Sequence, residues 1–94
     1  MRIEFDGAKN QRNIEERGIC LALAAELDWT TALVIRSDRV GETRFMAMGA
    51  IAGRLHVLVY TKRGQTVRII SLRRANKREV KRYEKAQPRV DRPR

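Results

Sequence analysis

The sequence predicts an α+β fold: a short N-terminal strand and two helices, then a mostly antiparallel sheet, then a C-terminal helix, with the helices on one side of the sheet. Three observations predict it. The stretch from Thr31 to Arg74 is a succession of aliphatic and β-branched runs broken by polar or glycine-bearing turns. The stretches on either side of it carry helix-capping residues and helical spacing. And 94 residues are enough for one domain and not for two.

The elements follow in order. "RIEF" alternates polar and apolar residues and makes a short first strand. Asp6 suits the N-cap of a helix through "GAKNQRNIEER", and Gly18 suits the left-handed position that ends it. "ICLALAAEL" continues as a second short helix, in which Cys20 is expected to be a buried, inert thiol. "TALVI" reads as a strand and "RSDRVGE" as a polar loop. "TRFMAMGAIAG" suits a strand with a bend near Gly49. "RLHVLVYT" is a strand, and "KRG" then offers a turn with Gly64 at the left-handed position of a bulge. "QTVRIISLRR" returns antiparallel. That turn sets Thr61 opposite Gln65, which puts Leu55, Val57 and Val59 on one core face with Val67, Ile69 and Ser71. Arg68 then falls on a mixed face with His56, Leu58, Tyr60, Ile70 and Leu72. Asn76 followed by Glu79 fits a capping box for the last helix, whose thin apolar stripe is Val80 and Tyr83. Residues 1–86 form the domain, and "QPRVDRPR", residues 87–94, is a basic tail.

The charge balance narrows function. Lys and Arg number 21 against 11 acidic residues, a formal charge of +10. Residues 1–30 carry four basic and six acidic side chains, residues 31–72 seven and two, and residues 73–94 ten and three. A positive field that grows toward the C-terminus points to a binding face for a polyanion: RNA, DNA or an acidic protein. One cysteine and one histidine exclude an internal disulfide and a Cys/His zinc site. There is no apolar run long enough for a membrane span and no signal-peptide pattern near Met1, so the expected compartment is the cytoplasm. HExxH, CxxC, P-loop and nucleophile-triad patterns are absent, which leaves protease, metal-hydrolase and nucleotidase chemistry without support.

Several segments together resemble the BrnT family of type II toxin–antitoxin ribonuclease toxins. "FDGAKNQRNIEERGI" is similar to the family's F-D-x-x-K-x-x-x-N opening, closed by glycine and an aliphatic residue. "GETRFMAMG" is similar to its G-E-x-R followed by an apolar stretch and glycine. "RLHVLVYTKRGQTVRIISLRRANKREVKRYE" carries V-Y-T-x-R-G, R-I-I-S-x-R-R-A and E-x-x-x-Y in order. The resemblance implies a RelE-like fold, RNA cleavage that blocks translation, and a BrnA-like ribbon-helix-helix antitoxin through which the pair binds operator DNA. No cofactor and no metal are expected. Where the family often has His before the glycine that closes the first helix, this chain has Arg17, and His56 is its only histidine.

A metal-independent ribonuclease can use the substrate's own 2′-OH as nucleophile. It must then take that proton, stabilise a crowded anionic phosphorane and protonate the leaving 5′ oxygen. The Arg guanidinium suits the middle task, because its planar fork donates two charge-assisted hydrogen bonds to phosphate. Arg68, Arg73 and Arg74 are therefore candidate catalytic residues. The alternatives are an ion pair of Arg68 with Glu42 and, for the other two, a solvated strand end. Glu42 is a candidate general base or the partner of Arg44. Tyr83 is either a core anchor or a proton donor. Lys9, Arg44, Arg63, Lys77, Arg78 and Lys81 are candidate RNA contacts. The competing functions are a non-enzymatic RNA- or DNA-binding module and a structural protein whose basic face binds an acidic partner.

Overall fold

The computed structural model describes residues 2–39 and 41–87; of the tail expected over 87–94, all but Gln87 lies outside them. The elements are β1 (Arg2–Phe5), α1 (Gly7–Arg17), a 3-10 helix (Leu21–Glu26), β2 (Leu33–Arg39), β3 (Glu42–Ile51), β4 (Arg54–Arg63), β5 (Thr66–Arg74) and α2 (Lys77–Ala86). The strands form one sheet in the order β1-β5-β4-β3-β2, antiparallel except where β1 lies parallel to β5. Among the described residues no helix is long and apolar enough to cross a membrane.

Local chemistry sets the helix ends. The Asp6 carboxylate accepts from the Lys9 N–H at 3.1 Å, and Gly18 closes α1 at φ 69°. The 3-10 helix starts where the Asn10 side-chain oxygen accepts from the Leu21 N–H at 2.8 Å. Asn13, buried inside α1, clamps that helix to the sheet: its Nδ2 donates to the carbonyls of Ile19 and Leu72 at 2.8 and 2.9 Å. Two buried carbonyls that the sheet cannot otherwise satisfy would each cost about 1–3 kcal/mol if Asn13 were lost. Cys20, expected to be buried, is half-buried at the start of the 3-10 helix.

One face of the sheet, the inner face, holds the core. Leu58, Tyr60, Val67, Ile69, Leu72, Ala47 and Ile51 meet Leu21, Ala24 and Leu27 of the 3-10 helix region there, with Ile3, Phe5, Trp29 and Phe45 packed at the margin. Gly49 sits in mid-strand on this face. A Cβ there would lie 3.0 Å from a Leu27 methyl and 3.2 Å from the Asp28 carbonyl, so glycine admits the close approach of that segment. The strand runs on through Gly49 to Ile51. The chain then turns at Ala52 and Gly53, both with positive φ, as in a type I′ hairpin.

Two further expectations are corrected. β2 runs on through Ser37 and Asp38 to Arg39, so most of the supposed polar loop is strand. The register of the β4–β5 hairpin also differs. Arg63 pairs with Thr66 and Thr61 with Arg68, because Gly64, at φ 60°, and Gln65 make a two-residue turn instead of a bulged three-residue one. The core residues of β4 are therefore Leu58 and Tyr60, and Arg68 shares its face with Thr61 and Val59, not with His56 or Leu58.

The helices also lie on both sides of the sheet. On the outer face, Arg73, Val57, Met48 and Leu33 form a row across four strands. Arg73 holds Glu79 near the start of α2, and Gln87, just past its end, donates to the carbonyl of Thr31, two residues before β2. Four strands at about 4.8 Å spacing are about as wide as ten helical residues at 1.5 Å each are long. Helix α2 thus crosses this row, which accounts for the complete burial of Val57 and Met48 outside the main core cluster.

Candidate nucleic-acid interface

Helix α2 covers one end of the outer face and leaves the other open. The open end carries Ser71, Val59 and Met46 in one row, half-buried, and beyond them Arg68, Thr61 and Arg44. A β-bulge determines which arginines meet there. Tyr60 pairs with Ile69 but Val59 pairs with Ser71, so Ile70 is an extra residue in β5. Arg68 and Arg73 are five apart and would fall on opposite faces of a regular strand. The inserted Ile70 puts both on the outer face. Arg74, paired with His56, falls on the other side.

The ladder between β3 and β4 ends at the Phe45–Tyr60 pair. Where the two strands part, a cleft of about 820 Å³ opens, lined by Arg36, Glu42, Phe45, Thr61, Lys62 and Arg63 among others. Three cations and one carboxylate thus line a cleft beside Arg44 and Arg68. The local field is positive, as phosphate recognition requires.

Arg44, Arg68 and Arg73 each have a carboxylate partner, but the pairs differ. Arg73 uses both Nη1 and Nη2 on Glu79, at 2.7 and 2.8 Å, and that carboxylate also accepts from the Asn76 N–H at 2.9 Å. The Asn76 side chain in turn accepts from the Glu79 N–H at 2.9 Å, completing the capping box. The Arg73 hydrogen bonds hold the Glu79 carboxyl below its ordinary value, and Glu79 holds the Arg73 guanidinium above its own. Arg73 is therefore the lock of α2. Arg44 gives only Nε to Glu42, at 3.2 Å, and Arg68 gives only Nη1 to Glu4, at 3.1 Å. Their side chains are about one-third exposed. Such partly exposed pairs are worth about 0–1 kcal/mol, and each leaves guanidinium donors for a phosphate.

The remaining candidates separate. Glu42 is the partner of Arg44, and the alternative partner expected for Arg68 is replaced by Glu4, its neighbour on β1. Arg63 is exposed at the cleft. Tyr83 is half-buried four residues after Glu79, on the same side of α2. Lys77, Lys81 and Val80 line a separate pocket with Arg54, Leu55 and Arg74, on the flank of α2 away from Arg68, and Arg78 is exposed. Lys9 is exposed on α1, the helix that Asn13 ties to the inner face. His56 is buried on the inner face, with Nδ1 2.7 Å from the Arg54 carbonyl; an oxygen that can only accept places the ring proton on Nδ1. It does not face the cleft. Ser71 and Glu4 belong to the open face, with Thr61 buried in the row of Arg68 and Arg44, and none of the three is among the residues singled out by sequence: the wrong register hid the side of Ser71 and Thr61, and Glu4 comes from a parallel pairing with β5.

Comparison with known families adds one finding. The family model of the ribonuclease toxin BrnT, of the type II toxin–antitoxin system, matches residues 5–79. No curated protein matches the sequence. The matched stretch runs from the end of β1 into α2 and contains Arg44, Arg63, Arg68 and Arg73.

Proposed function

The chain belongs to the BrnT family of ribonuclease toxins of type II toxin–antitoxin systems, a class that works with an antitoxin partner, and on that premise we propose that it is a metal-independent endoribonuclease whose substrate lies on the open outer face of the sheet. It cleaves RNA in the cytoplasm, blocks translation, and is neutralised by a BrnA-like antitoxin whose ribbon-helix-helix domain carries the pair to operator DNA. The observation that carries the site is the placement of Arg44 and Arg68 on one half-open face, each with guanidinium donors to spare, beside the cationic cleft at Arg63.

Arg68 and Arg44 clamp the scissile phosphate and stabilise the phosphorane formed when the neighbouring 2′-OH attacks. Arg63 holds a flanking phosphate. Glu42, beside Arg44 and lining the cleft, takes the 2′ proton, and Ser71 offers a hydroxyl to a non-bridging oxygen. Arg73 positions α2, with Tyr83 on it, and does not touch RNA.

The test is cleavage of purified RNA in excess chelator. Arg68→Ala should lower the rate about 10²-fold or more, as loss of one oxyanion donor does. Arg74→Ala, on the other face, should leave it within about threefold. Wild-type protein that binds RNA but yields no products would return the chain to the alternative, a non-enzymatic RNA- or DNA-binding module. One feature favours that alternative: the only histidine is turned away from this face.

A further inference from the structure

At the inner-face side of the cleft lies a second, mainly apolar pocket of about 340 Å³. Trp29, Val34, Phe45 and Tyr60 line it, and Phe45 and Lys62 are common to both cavities. Val34 is 46 % exposed on β2, an edge strand of the sheet, and is among the most exposed large apolar side chains described. The core does not need this side chain, and a large apolar group left in water beside a cavity marks a contact surface.

The aromatic rings argue against a nucleobase as the occupant. Phe45 stacks on Tyr60 at 5.4 Å and 19°, and Trp29 meets Tyr60 edge-on at 5.4 Å and 87°. The Lys62 ammonium stands 5.3 Å from the Phe45 ring centre. The Phe45 and Tyr60 rings are engaged with each other and with a cation, so they leave less open ring face than RNA bases require. An aliphatic side chain from a protein fits the pocket. Next to that side chain, Lys62 and the Nη groups of Arg36, whose Nε is already bonded to Asp38 at 3.0 Å, call for carboxylates.

We infer that this pocket and the adjoining cleft are the docking groove of the antitoxin: an acidic amphipathic segment seats an apolar side chain against Val34 and Tyr60 and runs its carboxylates past Lys62 and Arg36 into the cleft. The inference rests on the family's antitoxin and on the reading of the cleft as an RNA site. Its consequence is direct inhibition, because a segment anchored in the pocket and continuing through the cleft lies where RNA phosphates would reach Arg63.

The experiment is calorimetric titration of the purified protein with the antitoxin encoded beside it. Wild type, Val34→Gln and Lys62→Glu are compared, with thermal melting to confirm that each is folded. Affinity should fall about tenfold or more for Val34→Gln and further for Lys62→Glu, while Val34→Gln cleaves RNA at the wild-type rate and escapes inhibition. Antitoxin affinity within threefold of wild type in both variants overturns the proposal. So does a loss of affinity for labelled single-stranded RNA in Val34→Gln, which would make the pocket a base site. Antitoxin binding is read without any RNA. A wild-type protein that fails to cleave therefore counts against the catalytic proposal and leaves the docking groove standing or falling by its own result.

Discussion

Met46 and Ala47 are neighbours in the chain and lie on opposite faces of the sheet. Ala47 is completely buried in a continuous core of Leu58, Tyr60, Leu72 and the 3-10 helix. Met46 is half-buried on a surface that α2 covers at one end and leaves open at the other, among arginines held by single hydrogen bonds. The centre of the inner face, beneath the 3-10 helix, is closed by shape and gives stability. The outer face is half-closed by one ion pair and one helix, and the part left open is where a chain of net charge +10 can meet an anion. The contrast shows that an arginine's role here depends on how many of its donors the protein already uses: Arg73, with both Nη groups bonded to Glu79, supports structure, whereas Arg68, with one, remains available.

The comparison breaks most easily at Leu58 and Val59. Leu58→Ala should destabilise the protein by about 2–5 kcal/mol, since it opens a cavity in a packed core. Val59→Ala, on the open face, should cost well under half of that. Equal costs in chemical denaturation would mean that the two faces are equally buried.

Next in size is the lock of α2. Glu79→Gln should cost about 1.5–3 kcal/mol at neutral pH, the range for hydrogen bonds to a charged group. The pH dependence has a definite sign. The Glu79 carboxyl is held below its ordinary value of 4.5, first by the Arg73 hydrogen bonds. Its contribution is therefore complete above about pH 4.5 and is lost as pH falls through the lowered value in the folded state. The stability gap between wild type and Glu79→Gln should close in that acid range, and a gap that widens there would contradict the assignment.

The smallest effect sharpens the comparison most. Glu4→Gln removes the charge that competes with phosphate for Arg68. RNA affinity should rise a few-fold, with a stability change of about 1 kcal/mol or less for a partly exposed pair. Unchanged affinity would make Arg68 a strand staple and nothing more.

What sequence discloses divides along physical lines. The Asp6 and Gly18 caps and the Asn76–Glu79 box are decided by chemistry within four residues, and they are legible. The arginines are legible as a class through composition and charge gradient. Their facing is not. Gly64 is compatible with two hairpin turns, and the one that forms shifts the register. No glycine or proline marks the bulge at Ile70, which alone brings Arg68 and Arg73 to one side. The partner of Arg68 comes from β1, 64 residues away and parallel, a pairing that no local pattern announces. Asn13 shows the converse: a polar side chain inside a helix, it is used by the fold to bind Ile19 and to hold α1 against Leu72.

The central claim is that RNA occupies the open outer face, and methyl NMR tests it on adjacent residues. Protein carrying labelled Met, Ala, Leu and Val methyls is titrated with a short 2′-O-methylated RNA, which can bind but lacks the attacking hydroxyl. The Met46 and Val59 methyl signals should shift progressively, while those of Ala47 and Leu58 stay in place. Shifts confined to Ala47 and Leu58, or saturable RNA binding that moves none of the four, would contradict it.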